Sequence, residues 1–262
     1  MAKTVTEAEW RSLMLGELHE SGTLRKLRHT LGRIPSHPRC KVCQVPFRGV
    51  GGAVFRVMGW RQFEKNPNFC RNCIITNQPG GTEIEISILF ADVRGSTTMA
   101  EKMSPAEFSK IMNRFYRVTT DVLVSSDAWL DKLVGDEVIG LYVPGFAGID
   151  HAKKAVKAAQ ELLRVTGHGD RNGPWIPVGV GVHTGLAYVG LVGVEGGISD
   201  MTALGDSMNT TARLSSEAAA GEVLVSKAAC TASGLDVSKL EQRELHLKGR
   251  IEPVDVSVLG VN

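Results

Sequence analysis

The spacing of apolar and polar positions changes rhythm repeatedly along the 262 residues. "EIEISILFA" (83–91) begins by alternating and then runs continuously apolar, which predicts a strand passing into a core. In "SPAEFSKIMNRFYRVTTDVLVSS" (104–126) the apolar positions recur every three to four residues. That pattern predicts a long helix, opened by Ser104 with Pro105 behind it and Glu107 three residues on. "AWLDKLVGDEVIGLYV" (128–143) reads as two strands reversing at Gly135 and Asp136, and "AGIDHAKKAVKAAQELLRVTG" (147–167) as a second amphipathic helix. "WIPVGVGVHTGLAYVGLVG" (175–193) predicts two further strands that turn near Thr184 and Gly185. "LGDSMNTTARLSSEAA" (204–219) reads as a third helix, ended by Gly221. The order β-α-β-β-α-β, with further elements after it, predicts an α+β fold of the ferredoxin-like kind, its sheet containing antiparallel strands and its helices on one face.

The front of the chain follows a different plan. Residues 5–32 read as helical: Trp10, Leu13, Met14 and Leu18 share a face, and Leu24, Leu27 and Leu31 continue it after a break at "SGT". "RIPSHPR" ends that pattern, and "NQPGG" (77–81) reads as a linker into the body. Between them stand Cys40, Cys43, Cys70 and Cys73, as "CKVC" and "CRNC". Paired C-x-x-C turns in a reducing compartment are metal ligands more often than disulfides. Four thiolates suit a tetrahedral zinc ion; an iron–sulfur cluster and redox-active thiols are the alternatives. Cys230, in "SKAACTAS", reads as a small helix residue without chemistry. The expected divisions are a helical segment at 1–32, a four-cysteine module at 33–80 and a catalytic body at 81–262.

Charge agrees with a division. Residues 1–82 hold 13 Lys and Arg against 5 Asp and Glu, and the remainder 17 against 23, so a front of +8 precedes a body of −6. No apolar run approaches the ~20 residues of a membrane span. "MAKTVTEAEWRSL" lacks the apolar centre of a signal peptide, and the expected location is cytoplasmic.

One stretch stands out chemically. "ILFADVRGST" (88–97) sets Asp92 at the end of an apolar run and follows it with Gly95, Ser96 and Thr97. Asp92 is either a helix cap or one ligand of a metal beside a phosphate cradle. Asp136 sits at a hairpin tip that a ferredoxin-like sheet places next to the first strand. Two carboxylates that close repel unless a cation lies between them, and hard oxygen ligands favour magnesium or manganese.

"ILFADVRGST", "DKLVGDEV", "GVGVHTG" and "TALGDSMNTTARL", in this order, resemble the class III nucleotidyl cyclases, the family of adenylate and guanylate cyclase domains. The resemblance spans roughly residues 84–260. It implies that Asp92 and Asp136, with Val93 beside them, hold two magnesium or manganese ions. It further implies that Lys132 and Thr202 read the base and that Asn209 and Arg213 hold the ribose and stabilise the transition state. Gly95, Ser96, Thr97 and Lys248, with Arg250 sharing the part, would contact the triphosphate. Leu186 departs from the pattern, since some members carry a phosphate-binding arginine there. The family also implies a homodimer with two shared sites, the metal aspartates from one chain and the base, ribose and transition-state residues from the other.

Adenine offers an acceptor at N1 beside an amine at N6, which suits a lysine donor and a threonine hydroxyl. Guanine presents the reverse pattern, and cytosine the same one as adenine. The expected substrate is therefore ATP, with CTP and GTP as alternatives and cyclic AMP and pyrophosphate as products. His183 reads as a core histidine rather than a general base. A rival reading makes the four-cysteine front a nucleic-acid-binding protein with a regulatory body. The retained metal and transition-state residues argue against it, and the regulatory input is unknown.

Overall fold

The computed structural model describes residues 5–17, 22–34, 38–74, 80–194, 199–247 and 252–261. Lys248 and Arg250, assigned to the triphosphate, lie outside them, as do Leu18 and residues 77–79 of the expected linker. The chain divides into two compact units. One gathers Met1–Ile84, Val143–Gly148 and Tyr188–Ala203, and the other Glu85–Tyr142, Ile149–Ala187 and Leu204–Asn262.

In the first unit, α1 (Glu7–Leu15) opens on a capping box in which Thr6 and Glu9 exchange hydrogen bonds, and ends at Gly16 in the left-handed region. The front is thus helical in two pieces, α2 (Gly22–Gly32) following the break. Trp10 and Met14, from the apolar face read in the sequence, are buried. Then come α3 (Gly49–Val57) and the short α4 (Arg71–Ile74).

The second unit is built on β1 (Gly80–Val93), which runs on from the first. After it come α5 (Ser96–Lys102), α6 (Pro105–Ser125), β2 (Trp129–Val134), β3 (Glu137–Tyr142), α7 (Pro144–Ala147, part of the first unit) and α8 (His151–Val165). The chain continues through β4 (Val178–Gly193, part of the first unit from Tyr188 on), β5 (Ser199–Leu204, part of the first unit up to Ala203), α9 (Asp206–Glu217), β6 (Val223–Ser226), α10 (Lys227–Ser233), β7 (Glu241–Leu245) and β8 (Val254–Leu259). The sheet order is β2-β3-β1-β4-β6-β8-β7, with β5 paired to β4. Its first four strands have the ferredoxin-like arrangement that the element order predicts. The expected capping box at α6 is present, Ser104 and Glu107 satisfying each other's backbone N–H groups. The apolar face of α6 buries Met112, Phe115, Val122 and Leu123, and α6 packs on α8.

One expectation fails. Residues 178–193 form a single 16-residue strand rather than two strands turning near Thr184 and Gly185. Gly185 serves a close approach instead of a turn: a Cβ there would lie 2.6 Å from Ser207 Oγ and 2.8 Å from His183 Nε2.

Candidate functional site

The site is assembled where β1 ends beside the β2–β3 hairpin. The two strands β1 and β3 run antiparallel with Asp92 opposite Glu137, and the Val93 N–H donates to Asp136 O at 3.0 Å. The backbone itself therefore holds Asp92 and Asp136 at the same end of the sheet. Gly135, at φ 60°, makes the hairpin turn in the left-handed region, and Tyr116 from α6 donates its hydroxyl hydrogen to the Gly135 carbonyl. Asp92 and Asp136 are both half-buried.

Asp92 is not a helix cap. The helix after it starts at Ser96, its N-cap is Gly95 at φ 69°, and no side chain caps it. Asp92 instead forms an ion pair with Arg94, and Ser96 donates its hydroxyl hydrogen to Asp136. Thr97 is exposed on the first turn of α5. Burial, and then Asp136 beside it, push the Glu137 carboxyl above its ordinary value. Burial holds the Arg94 guanidinium below its ordinary value, opposed by Asp136 and Glu137. Three carboxylates thus crowd around one arginine among the described residues. Carboxylate oxygens are the ligands that a hard divalent cation of the magnesium or manganese kind takes, so Asp92 and Asp136 are the residues here that could hold one. Sequence reasoning missed Arg94 and Glu137, although both lie inside the stretches it singled out.

Lys132 projects, exposed, from β2 just past a register irregularity, with no ion pair among the described residues. Thr202 in β5 is 6% exposed, and its hydroxyl has no hydrogen-bond partner among the described residues. On α9, Thr210, Thr211 and Leu214 are buried, while Asn209 is exposed and Arg213 half-buried. The two sit one turn apart, as i and i+4 require. Gly181 of β4 lets the α9 backbone lie against the sheet: a Cβ there would be 2.5 Å from Ser215 N and 2.7 Å from Thr211 O. Arg94 also donates to Ser216 O at 2.8 Å, which ties the end of β1 to the end of α9. His183 is half-buried, its Nδ1 2.8 Å from Ser226 Oγ.

In the first unit, the sulfurs of Cys40, Cys43, Cys70 and Cys73 all lie within 4.8 Å of one another, Cys43 and Cys70 at 3.7 Å. Gln44, at φ 67°, closes the first knuckle, its N–H donating to Cys40 O at 2.9 Å. The Cys70 N–H donates to Cys40 Sγ at 3.3 Å. Arg28 of α2 donates to the carbonyls of Lys41 and Val42, which fastens the helix to the knuckle. Hydrogen bonding, from Cys43 foremost, pushes the Cys40 thiol down, whereas the Cys73 thiol is pushed up, by Cys40 first. Four thiols this crowded cannot all ionise without a cation, and the cluster fits a metal ion.

The chain is 32% identical over 135 residues to an adenylate cyclase of Anabaena cylindrica, which covers 49% of this chain and 26% of that protein. It is 26% identical over 181 residues to retinal guanylyl cyclase 2 of Rattus norvegicus, covering 68% of this chain and 16% of the relative. The chain therefore spans about a quarter or less of the length of these two relatives. Among solved structures, that of the guanylyl cyclase Cya2 superposes with a TM-score of 0.62 at 28% identity, over 70% of this chain and 95% of that one. Residues 81–259 match the model of the adenylate and guanylate cyclase catalytic domain, and the chain belongs to that family, the class III nucleotidyl cyclases.

Proposed function

We propose that this cyclase takes ATP and releases 3′,5′-cyclic AMP and pyrophosphate, at sites shared between two copies of the chain. The observation that carries the substrate choice is the pair of base-reading side chains. Thr202 offers a buried hydroxyl with no partner among the described residues, and Lys132 offers an unpaired ammonium. A lysine only donates, which suits adenine N1 and is opposed by the N1–H of guanine. The Thr202 hydroxyl accepts from the adenine amine. Relatives include both adenylate and guanylate cyclases, so the residues rather than the family decide.

In the reaction the ribose 3′ oxygen bonds to the α-phosphorus, the bond to the diphosphate breaks, and the 3′ hydroxyl gives up its proton. Asp92 and Asp136, with Val93 beside them, hold the divalent cations. Bound there, these ions supply the positive charge that acidifies the hydroxyl and neutralises the leaving phosphates. Asn209 fixes the sugar, and the Arg213 guanidinium meets the charge developing on the α-phosphate. Gly95, Ser96 and Thr97 face the triphosphate, with Lys248 and Arg250 assigned to its far end.

A homodimer is supported by α9, where Asn209 and Arg213 have no side-chain partners among the described residues. Apolar side chains near the site residues in sequence also remain exposed: Leu133, Val134, Leu186 and Leu204. For the four cysteines we assign a single zinc ion. Zinc at about 2.3 Å from each sulfur sets sulfur–sulfur edges of about 3.8 Å, close to the Cys43–Cys70 distance of 3.7 Å.

The substrate assignment is tested by Lys132→Glu combined with Thr202→Cys, which reverses the hydrogen-bond pattern read at the base. The double variant is expected to weaken ATP use and admit GTP. An unchanged preference for ATP would mean that these side chains do not touch the base.

A further inference from the structure

Helix α3 is built inside out. Its inward face is glycine: a Cβ on Gly52 would lie 2.5 Å from the Phe47 carbonyl carbon, and one on Gly51 would lie 3.1 Å from Ile34 and Pro46 side-chain atoms. The helix is thereby clamped against its own module without contributing large side chains to the core. Its outward face is apolar instead. Val50, Val54, Val57 and Met58, at i, i+4, i+7 and i+8, are 85%, 47%, 90% and 66% exposed. These nine positions hold four of the ten large apolar side chains exposed among the described residues, so the stripe is a cluster and not scatter.

The charge around the stripe is of one sign. Arg48, Arg56 and Arg61 are exposed beside it, and no Asp or Glu occurs from Lys41 to Phe63. Trp60 is half-buried at the end of the helix, its ring edge-on to Phe55 at 6.4 Å. That charge decides between occupants. A two-fold contact with a second copy would set the arginines of both chains against each other. A head-to-tail contact with the acidic body of another copy builds rings or filaments rather than a two-fold dimer, and the body's acidic groups would leave the valines unmatched. Nucleic acid would satisfy the arginines and leave the valines in water. An anionic bilayer satisfies both at once, the stripe entering the acyl boundary and the arginines meeting lipid phosphates and carboxylates, with the tryptophan at headgroup level.

We propose that α3 is a membrane-surface anchor, which lays the valine–methionine stripe on anionic phospholipid and holds the four-cysteine module at the bilayer. No helix among the described residues is long and apolar enough to cross a membrane, so the attachment is peripheral and reversible.

The test is co-sedimentation of the full chain with phosphatidylcholine vesicles, with and without about 30% phosphatidylserine, at low and high salt. Binding is expected only with phosphatidylserine, weakened by salt, and accompanied by a blue shift of tryptophan fluorescence. Val54→Glu with Val57→Glu is expected to lower the vesicle affinity more than tenfold. Arg56→Gln and Arg61→Gln are each expected to lower it about fivefold, because one basic residue near an anionic surface contributes about 1 kcal/mol. Circular dichroism and thermal melting of each variant should match the parent, since these side chains point away from the module. Three results would each overturn the proposal: no binding to phosphatidylserine vesicles, equal binding by the double glutamate variant, or equal binding to neutral vesicles. So would conversion of a dimer to monomers by that variant, or tighter binding to duplex DNA that it abolishes.

Discussion

Gly181→Ala adds one methyl group to the middle of β4, against the turn of α9 that carries Arg213, and is expected to cripple the enzyme. The new Cβ would sit 2.5 Å from Ser215 N and 2.7 Å from Thr211 O, both backbone atoms of α9, and 2.9 Å from Leu214 Cβ. A backbone helix cannot rotate out of the way as a side chain does. Restoring ordinary 3.4 Å contact moves α9 by about 0.9 Å away from the sheet. Overpacking of this kind costs about 1–3 kcal/mol. For a chain of this size that lowers the melting temperature by roughly 2–4 °C per kcal/mol. The larger effect is expected on catalysis, because α9 carries Asn209 and Arg213, proposed above to hold the sugar and meet the α-phosphate, and a displacement near 1 Å costs roughly 100-fold in rate. The assay is kcat for cyclic nucleotide formation well below the melting temperature, beside a melting curve. Gly32→Ala, where a Cβ meets nothing within 4 Å, is the matched control and should leave kcat unchanged. A Gly181→Ala enzyme with wild-type kcat and melting temperature would refute the claim that α9 is seated on that glycine and carries the reacting groups.

Cys70→Ser should abolish the proposed zinc binding and lower the melting temperature of the first unit, because a four-sulfur site falls to three; zinc analysis of parent and variant reads this directly. Asp92→Ala and Arg213→Ala, each inactive alone, should regain about a quarter of wild-type activity when co-expressed. Half the dimers are then mixed, and each mixed dimer has one intact site of two. No recovery in verified mixed dimers would mean that each site is built within one chain. Stability should also fall as pH drops from 7.5 to 5.5. Burial holds His151 and His168 below their ordinary value of 6.5, opposed at His151 by Glu85. Their contribution is therefore complete above about 6.5 and is lost as pH falls from there through the folded values, the unfolded chain taking up the protons first. Urea midpoints at the two pH values check this, and His151→Gln with His168→Gln should flatten the difference.

What could be read in advance was local. Asp92, Asp136, Asn209 and Arg213 can be singled out as candidates because each sits in a short stretch whose neighbours fix its setting. A capping box such as that of Ser104 and Glu107 is complete within four residues. The misread turn in β4 shows the limit. Gly185 has the look of a turn residue, but its small size answers to Ser207 on α9, 22 positions along the chain. Gly181 was silent for the same reason, since only the folded helix reveals what its missing side chain makes room for. Arg94 lay in plain view, yet nothing near it in the chain foretells its bond to Ser216, 122 residues away. The outward valines of α3 were equally hidden, because apolar residues at helical spacing ordinarily face a core.

The most direct measurement supplies the purified chain with ATP, GTP, CTP and UTP separately, with Mg²⁺ or Mn²⁺, and identifies the products by mass. Cyclic AMP and pyrophosphate should form from ATP far faster than any cyclic product from the other three, and the reaction should stop in Asp92→Asn and Asp136→Asn proteins that remain folded. Cyclic GMP or cyclic CMP as the main product, or no cyclic AMP with either metal, would contradict the account.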